Sequence, residues 1–155
     1  MVIRLAETRD IPDMIALLYQ VGGVHHDIRP DIFRSGAIKY TPEDLENLLK
    51  EADKPIFVCD DGGFVAGYCF CQIREYKDST VLTDRKELYI DDLCVDENCR
   101  GKGVATELYR HVTAYAKDFG CAFITLNVWT GNDKAQRFYE FMGMTPRNMT
   151  MEISL

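Results

Sequence analysis

Leu93-Cys94-Val95-Asp96-Glu97-Asn98-Cys99-Arg100-Gly101-Lys102-Gly103-Val104-Ala105 changes periodicity in mid-course. Its first residues close an apolar run from Leu88 to Val95 that reads as a strand. Its last residues open a helix, with Val104, Leu108, His111, Val112, Tyr115 and Phe119 on one side and Gly120 as the stop. The turn between them is rich in glycine, which lets backbone approach a ligand closely. A helix start also offers unpaired N–H groups and a partial positive charge, a natural seat for phosphate. Arg100 and Lys102 add cationic charge there. The same residues also describe an ordinary strand-to-helix turn with two solvated cations. The turn is neither a G-x-x-x-x-G-K-[ST] loop nor a G-x-G-x-x-G fingerprint.

Downstream, Ala122 to Val128 reads as another strand, and Thr130-Gly131-Asn132-Asp133 as a polar turn. A helix follows with Ala135, Phe138, Tyr139 and Met142, ending at Gly143, and Met149 to Leu155 alternates like a final strand. Upstream, residues 2–6 read as a strand. Thr8 or Asp10 caps a helix carrying Ile11, Met14, Ile15, Leu18 and Val21, which Gly22-Gly23 is expected to end. Residues 24–40 look irregular. Thr41-Pro42-Glu43-Asp44 opens a second helix with a Thr cap, Pro at the first position and an acid three residues after the cap. Asp60-Asp61-Gly62-Gly63 separates two apolar runs as a hairpin turn does. The second run spans about Phe64 to Arg74, and residues 77–85 form a polar loop. Alternating helices and strands with one antiparallel hairpin predict an α/β fold: a mixed sheet with helices on both faces.

The chain has 155 residues, 18 Lys+Arg and 25 Asp+Glu, for a net charge of −7. The length suits one domain, residues 1–155. The 46% hydrophobic and 28% charged content excludes a disordered chain. The acidic excess argues against a nucleic-acid partner and suits a cationic one. No apolar run is long enough to span a bilayer, so no membrane role is expected. Met1 to Leu5 lacks the apolar stretch of a signal peptide, so the cytoplasm is the expected compartment. The six cysteines form no C-x-x-C pair and have no histidine at ligand spacing. They read as buried apolar thiols, and no metal site is expected.

A second motif, Asn132-x-x-Ala135-x-x-Phe138-Tyr139-Glu140-x-x-Gly143, lies about thirty residues beyond the Gly-rich turn. Asn132 can simply cap the helix and Tyr139 can simply pack. A Tyr hydroxyl can also protonate a departing thiolate. The two motifs in this order resemble the GNAT superfamily of acetyl-CoA-dependent N-acetyltransferases. Arg100-Gly101-Lys102-Gly103-Val104-Ala105 matches the family's [RQ]-x-x-G-x-[GA] pyrophosphate motif.

The resemblance implies a sheet splayed open between the strands near 88–95 and 122–128, with acetyl-CoA as cosubstrate in the V. It implies that the strand at Leu93, Cys94 and Val95 pairs with the pantetheine arm through its backbone. The amides of Gly101 to Ala105, with Arg100, Lys102 and Val104, would hold the pyrophosphate. Asn132 would face the cofactor arm, and Tyr139 would act as general acid. Transfer would be direct to a primary amine, so Cys94 need not be a nucleophile.

An alkylammonium must lose a proton before it attacks, and Asp91 and Asp92 are the candidate bases. Strand parity sends the two to opposite faces, leaving one on the acceptor side. Asp91-Asp92-Leu93 resembles the acidic-acidic-Leu run of the polyamine acetyltransferases, where the acids receive the cationic amine. His25, His26 and Trp129 are further candidates for the acceptor wall, with Tyr68 and Phe70 as its floor. A small cationic amine is therefore the expected acceptor. A protein N-terminus or lysine, or non-catalytic acyl-CoA sensing, are the alternatives. Dimerisation through the C-terminal strands is implied by resemblance alone.

Overall fold

The computed structural model describes all residues 1–155. The strands are β1 (Val2–Leu5), β2 (Ile56–Asp61), β3 (Phe64–Tyr76), β4 (Arg85–Val95) and β5 (Phe123–Leu126). The helices are α1 (Ile11–Ile28), α2 (Pro42–Leu48), α3 (Val104–Asp118) and α4 (Asp133–Phe141). The sheet order is β1-β2-β3-β4-β5, with every pair antiparallel except the parallel β4–β5. The expected α/β fold, a mixed sheet between helices, is present.

Each face of the sheet buries its own core, because successive strand residues point to opposite sides. On one face Leu88, Ile90, Cys69 and Cys71 pack with Val104, Leu108, Tyr109 and Val112 of α3, and α4 leans on the same cluster. On the other face Val58, Tyr68, Phe70 and Cys94 pack with Met14, Leu17, Leu18 and Leu45 of α1 and α2. Local signals start α2 and α4 as the sequence implies, whereas Asp10 stands at the N-cap of α1 but its carboxylate is taken by Arg4 and the Glu7 N–H instead of capping it. Thr41 and Asp44 form the reciprocal cap of α2. Asn132 caps α4, its side-chain oxygen accepting from the Ala135 N–H at 3.3 Å. None of the six thiols is in a disulfide, and Cys59, Cys69, Cys71 and Cys94 are buried.

Two expectations fail. Helix α1 does not stop at Gly22-Gly23 but runs on to Ile28, so part of the expected irregular stretch is helical. Glycine costs a helix interior about 1 kcal/mol relative to alanine, and here packing overrides it. A Cβ at Gly22 would lie 2.5 Å from the Ala37 carbonyl oxygen, so this glycine lets the following segment cross close against the helix. The second failure is the final strand: residues 149–155 alternate correctly but pair with no strand. The chain is anchored just before them, where Arg147 donates to the buried Glu87 carboxylate at 3.1 and 3.2 Å. Beyond that point Met149, Met151, Ile153 and Leu155 are each 80% or more exposed.

One ionic cluster ties the N-terminal strand to the frame. Arg4 donates to both carboxylate oxygens of Asp10 at 2.7 and 2.8 Å, and to Asp60 at 2.7 and 3.0 Å. Asp10 is 4% exposed. No helix is long and apolar enough to cross a membrane.

Candidate active site

The site begins where pairing stops. Strand β4 is 11 residues long and β5 only four, and their ladder ends at Ile90 opposite Leu126. From residue 92 to 95, β4 keeps β3 on one side and has no neighbour on the other. That leaves a free backbone edge at Leu93, Cys94 and Val95, able to accept an extended polar chain as an added half-strand. The Val95 carbonyl is also reached by Arg100 Nε at 3.4 Å.

A bulge sits at the same point. Phe70 pairs with Asp92 but Cys71 pairs with Ile90, so Asp91 is the extra residue in β4. One inserted residue reverses parity for everything after it. Leu88 and Ile90 face α3, but so do Leu93 and Val95, while Cys94 faces α1. The parity expectation for the two acids is therefore wrong: both Asp91 and Asp92 lie on the α1–α2 side. The Tyr40 hydroxyl donates to Asp91 Oδ2 at 2.6 Å, and Lys39 Nζ lies 2.7 Å from Asp91 Oδ1. The Tyr68 hydroxyl donates to Asp92 Oδ2 at 2.7 Å. Burial raises the Asp92 carboxyl to about 6, against the opposing pull of the Tyr68 bond and Lys39. A cavity beside Asp91 is lined by Tyr40, Leu48, Phe70 and Gln72.

Tyr139 lies on the opposite face, partly buried with Phe138 against the α3 cluster. Its ring is 6.3 Å from that of Tyr109 and 5.2 Å from that of Phe138. No group in the chain hydrogen-bonds its hydroxyl, yet that oxygen is not sealed from solvent. Burial, with Cys69 and Asp92 nearby, pushes its phenol well above the ordinary range, so it keeps its proton at working pH. The gap between β4 and β5 thus joins a face carrying two carboxylates to a face carrying a free hydroxyl.

The Gly-rich turn lies on the Tyr139 side. Gly101 and Gly103 adopt φ of +77° and +83°, and Gly103 is the N-cap of α3. A Cβ at either would meet nothing within 4 Å. These glycines serve left-handed backbone rather than close packing. No side chain caps α3, so its first-turn amides are open. Val104 is buried beneath them, and Ala105 is half-buried. Lys102 is exposed beside them. Open amides, two cations and a free strand edge fit a pyrophosphate attached to an extended polar arm. Cys94 offers that arm only its backbone: its thiol faces the Leu17 carbonyl at 3.6 Å, and burial pushes it up to about 12.

On the acceptor side the end of α1 meets the segment after β5. His25 stacks on Phe33 at 5.0 Å, and Phe33 meets Trp129 edge-on at 5.0 Å. His26 Nδ1 lies 2.8 Å from the Phe33 carbonyl oxygen. His25, His26 and Trp129 are therefore brought together as one aromatic rim, held by a residue between them. Burial and the nearby Lys39 lower the His25 imidazole, so it is neutral at pH 7. The contacts of Lys39 and Tyr40 with Asp91 have no signal in the sequence. The two residues belong to no motif, and only the cap at Thr41 hints that the residues before it are held in place.

Fold and site define a class. The family model described as Acetyltransferase (GNAT) family matches residues 23–144. The chain belongs to that family. A solved mutant of the BH1408 protein from Bacillus halodurans is 31% identical, with a TM-score of 0.96 over 100% of this chain and 99% of that one. An N-acetyltransferase of Methanocaldococcus jannaschii, named as uncharacterized, is 28% identical over 66% of this chain and 44% of its own length. A mouse protein named thialysine N-epsilon-acetyltransferase is 33% identical over 37% of this chain and 34% of its own length. The chain spans less than half the length of these two curated relatives.

Proposed function

We propose that residues 1–155 work as one N-acetyltransferase domain that moves an acetyl group from acetyl-CoA directly to a primary amine of a small cationic molecule. The observation that carries this reading is the β4 bulge, which sets Asp91 and Asp92 together on the acceptor side of the gap from Tyr139. The name of the mouse relative, which gives thialysine as its acceptor, agrees with a small amine.

Acetyl-CoA, when bound, supplies the activated acyl group. The amides of Gly101 to Ala105, with Arg100 and Lys102, hold its pyrophosphate. The free edge at Leu93 to Val95 aligns the arm. Asn132 spends its side-chain oxygen on the α4 cap and turns its amide nitrogen to the arm. Asp91 attracts the incoming ammonium, and Asp92 accepts its proton. Tyr139 donates a hydrogen bond to the departing sulfur and is its proton source. His25, His26 and Trp129 close the acceptor side.

Acetylation of one member of a panel of diamines, amino acids and peptides, read by mass spectrometry, tests the reading. Transfer to peptides alone, or to nothing, overturns it. The pH profile tests the base. Asp92 must be ionised to accept a proton, so kcat/KM is expected to fall as pH drops through about 6. Asp92→Asn is expected to abolish that limb and cost about 100-fold in rate. The same change works oppositely on stability. A carboxyl whose folded value is raised favours folding below its unfolded value near 3.8, and that advantage is lost as pH rises through about 6. Asp92→Asn is therefore expected to raise Tm at pH 7.5 while removing activity. An acid limb that survives in Asp92→Asn rules this base out.

We also propose that the chain pairs with a second copy through residues 149–155. They carry the strand alternation, β5 is an open sheet edge with exposed Phe123, and no residue of α4 is fully buried. Burying a large apolar side chain is worth roughly 1.5–3 kcal/mol, and four of them face water in the lone chain. Deleting 149–155 is expected to convert a dimer to a monomer by light scattering. A monomeric full-length chain would refute the pairing.

A further inference from the structure

Lys39 lies outside both sequence motifs, yet its ammonium sits in the acceptor cleft. Its Nζ is 2.7 Å from Asp91 Oδ1 and 3.3 Å from the Asp91 carbonyl oxygen. It is also 5.6 Å from the centre of the Tyr40 ring. The side chain is 46% exposed, so it is free to swing away. Asp91 does not depend on it for position, because the Tyr40 hydroxyl holds the other carboxylate oxygen. The other charged or titratable groups around the pair are Asp92, held by Tyr68, the neutral His25, and Lys54, which lines the cavity beside Asp91 but is itself paired with Glu51 at 2.6 Å. Two ionised aspartates alone would suit a dication. With Lys39 among them, the cleft presents one uncompensated negative charge.

We propose that Lys39 is a specificity-determining residue: a tethered cation that competes with the acceptor for Asp91, so that amines with one uncompensated positive charge are favoured over diamines and polyamines. The inference rests on the acetyltransfer reading above and narrows its acceptor class. A second ammonium on the acceptor must displace Lys39 before it can pair with Asp91. A half-exposed ion pair is weak, so the bias is a preference rather than a block. Polyamine-like acceptors, which the acid pair alone suggests, are thereby disfavoured.

The test compares the wild type with Lys39→Met and Lys39→Arg, using 1,4-diaminobutane and 1-aminobutane as acceptors. The diamine-to-monoamine ratio of kcat/KM is expected to rise about fivefold in Lys39→Met, through a lower KM for the diamine. In Lys39→Arg it stays near the wild-type ratio. Calorimetric titration of 1,4-diaminobutane into CoA-saturated protein is expected to show tighter binding to Lys39→Met. An unchanged or lower ratio overturns the proposal, as does a parallel fall for both amines, which would make Lys39 a support for Asp91. If none of the three proteins acetylates any amine, the acetyltransfer reading fails and the titration decides on Lys39 alone. Tighter diamine binding to Lys39→Met then supports the role, and equal or absent binding overturns it.

Discussion

Tyr139→Phe is expected to lower kcat by about 100-fold while leaving acetyl-CoA affinity unchanged. The two halves of this expectation have separate physical sources. Phe keeps the ring, and with it the packing against Phe138 and Tyr109 that seats α4 near its C-terminal end. The Gly-rich turn and the free β4 edge lie elsewhere on the chain and are untouched. What is lost is one hydroxyl, and it is lost only from the reaction, because no group in the chain hydrogen-bonds to it. A donor aimed at developing charge in a partly dry site is worth roughly 100-fold or more. The phenol is held well above its ordinary range, so the rate difference should persist across the working pH range. Single-turnover rates together with a Kd for acetyl-CoA separate the two halves. Undiminished turnover in Tyr139→Phe would remove this residue from the chemistry.

The largest expected loss of stability is at the far end of the sheet. Arg4→Ala is expected to destabilise the fold by about 3 kcal/mol, because it leaves the nearly inaccessible Asp10 carboxylate with no cation and only the Glu7 N–H as a partner. At about 2–4 °C per kcal/mol for a chain of this size, Tm should fall by roughly 10 °C. The sign of the pH effect follows from the same contacts. Burial pushes Asp10 up, but the bonds from Arg4 and the Glu7 N–H outweigh it and hold its carboxyl low. Asp60 is held low by the Gly63 N–H and by Arg4. Carboxyls lowered in the folded state stabilise it above their unfolded value near 3.8, and this is lost as pH falls through the folded values. Without Arg4 that margin shrinks, so acid unfolding should begin at higher pH. Chemical denaturation at pH 7 and pH 4 measures both effects. A loss below about 0.5 kcal/mol would show that the cluster is no more than a surface ion pair.

Most of the frame was legible because it is written in local chemistry. The Thr41 and Asn132 caps, the Asp-Asp-Gly-Gly turn and the spacing of Val104, Leu108 and Val112 each act within a few residues. What was not legible depends on contacts distant in sequence. Gly22-Gly23 looks like a stop, and only the crossing of Ala37 shows why a glycine is needed inside a helix. Counting alternate residues assigns Asp91 and Asp92 to opposite faces, because a bulge carries no signature of its own in one sequence. The Gly-rich turn and the Asn132 motif stand out in local residues, whereas Lys39 and Tyr40 reach Asp91 from about fifty residues away. Residues 149–155 alternate like a strand but form none, because a pattern does not supply a neighbour.

The missing methyl group at Gly22 has a consequence for the residues that meet Asp91. Ala37 rests against the bare helix backbone, and Lys39 and Tyr40 follow it by two and three residues.

 The gauge of the acceptor mouth is thus set from behind, by how closely a loop can nest on a helix. Any side chain at position 22 would act as a shim, lifting the loop and carrying both gatekeeping residues outward with it. Under the proposed acetyl transfer, acceptor size is then adjustable from a helix position behind that loop.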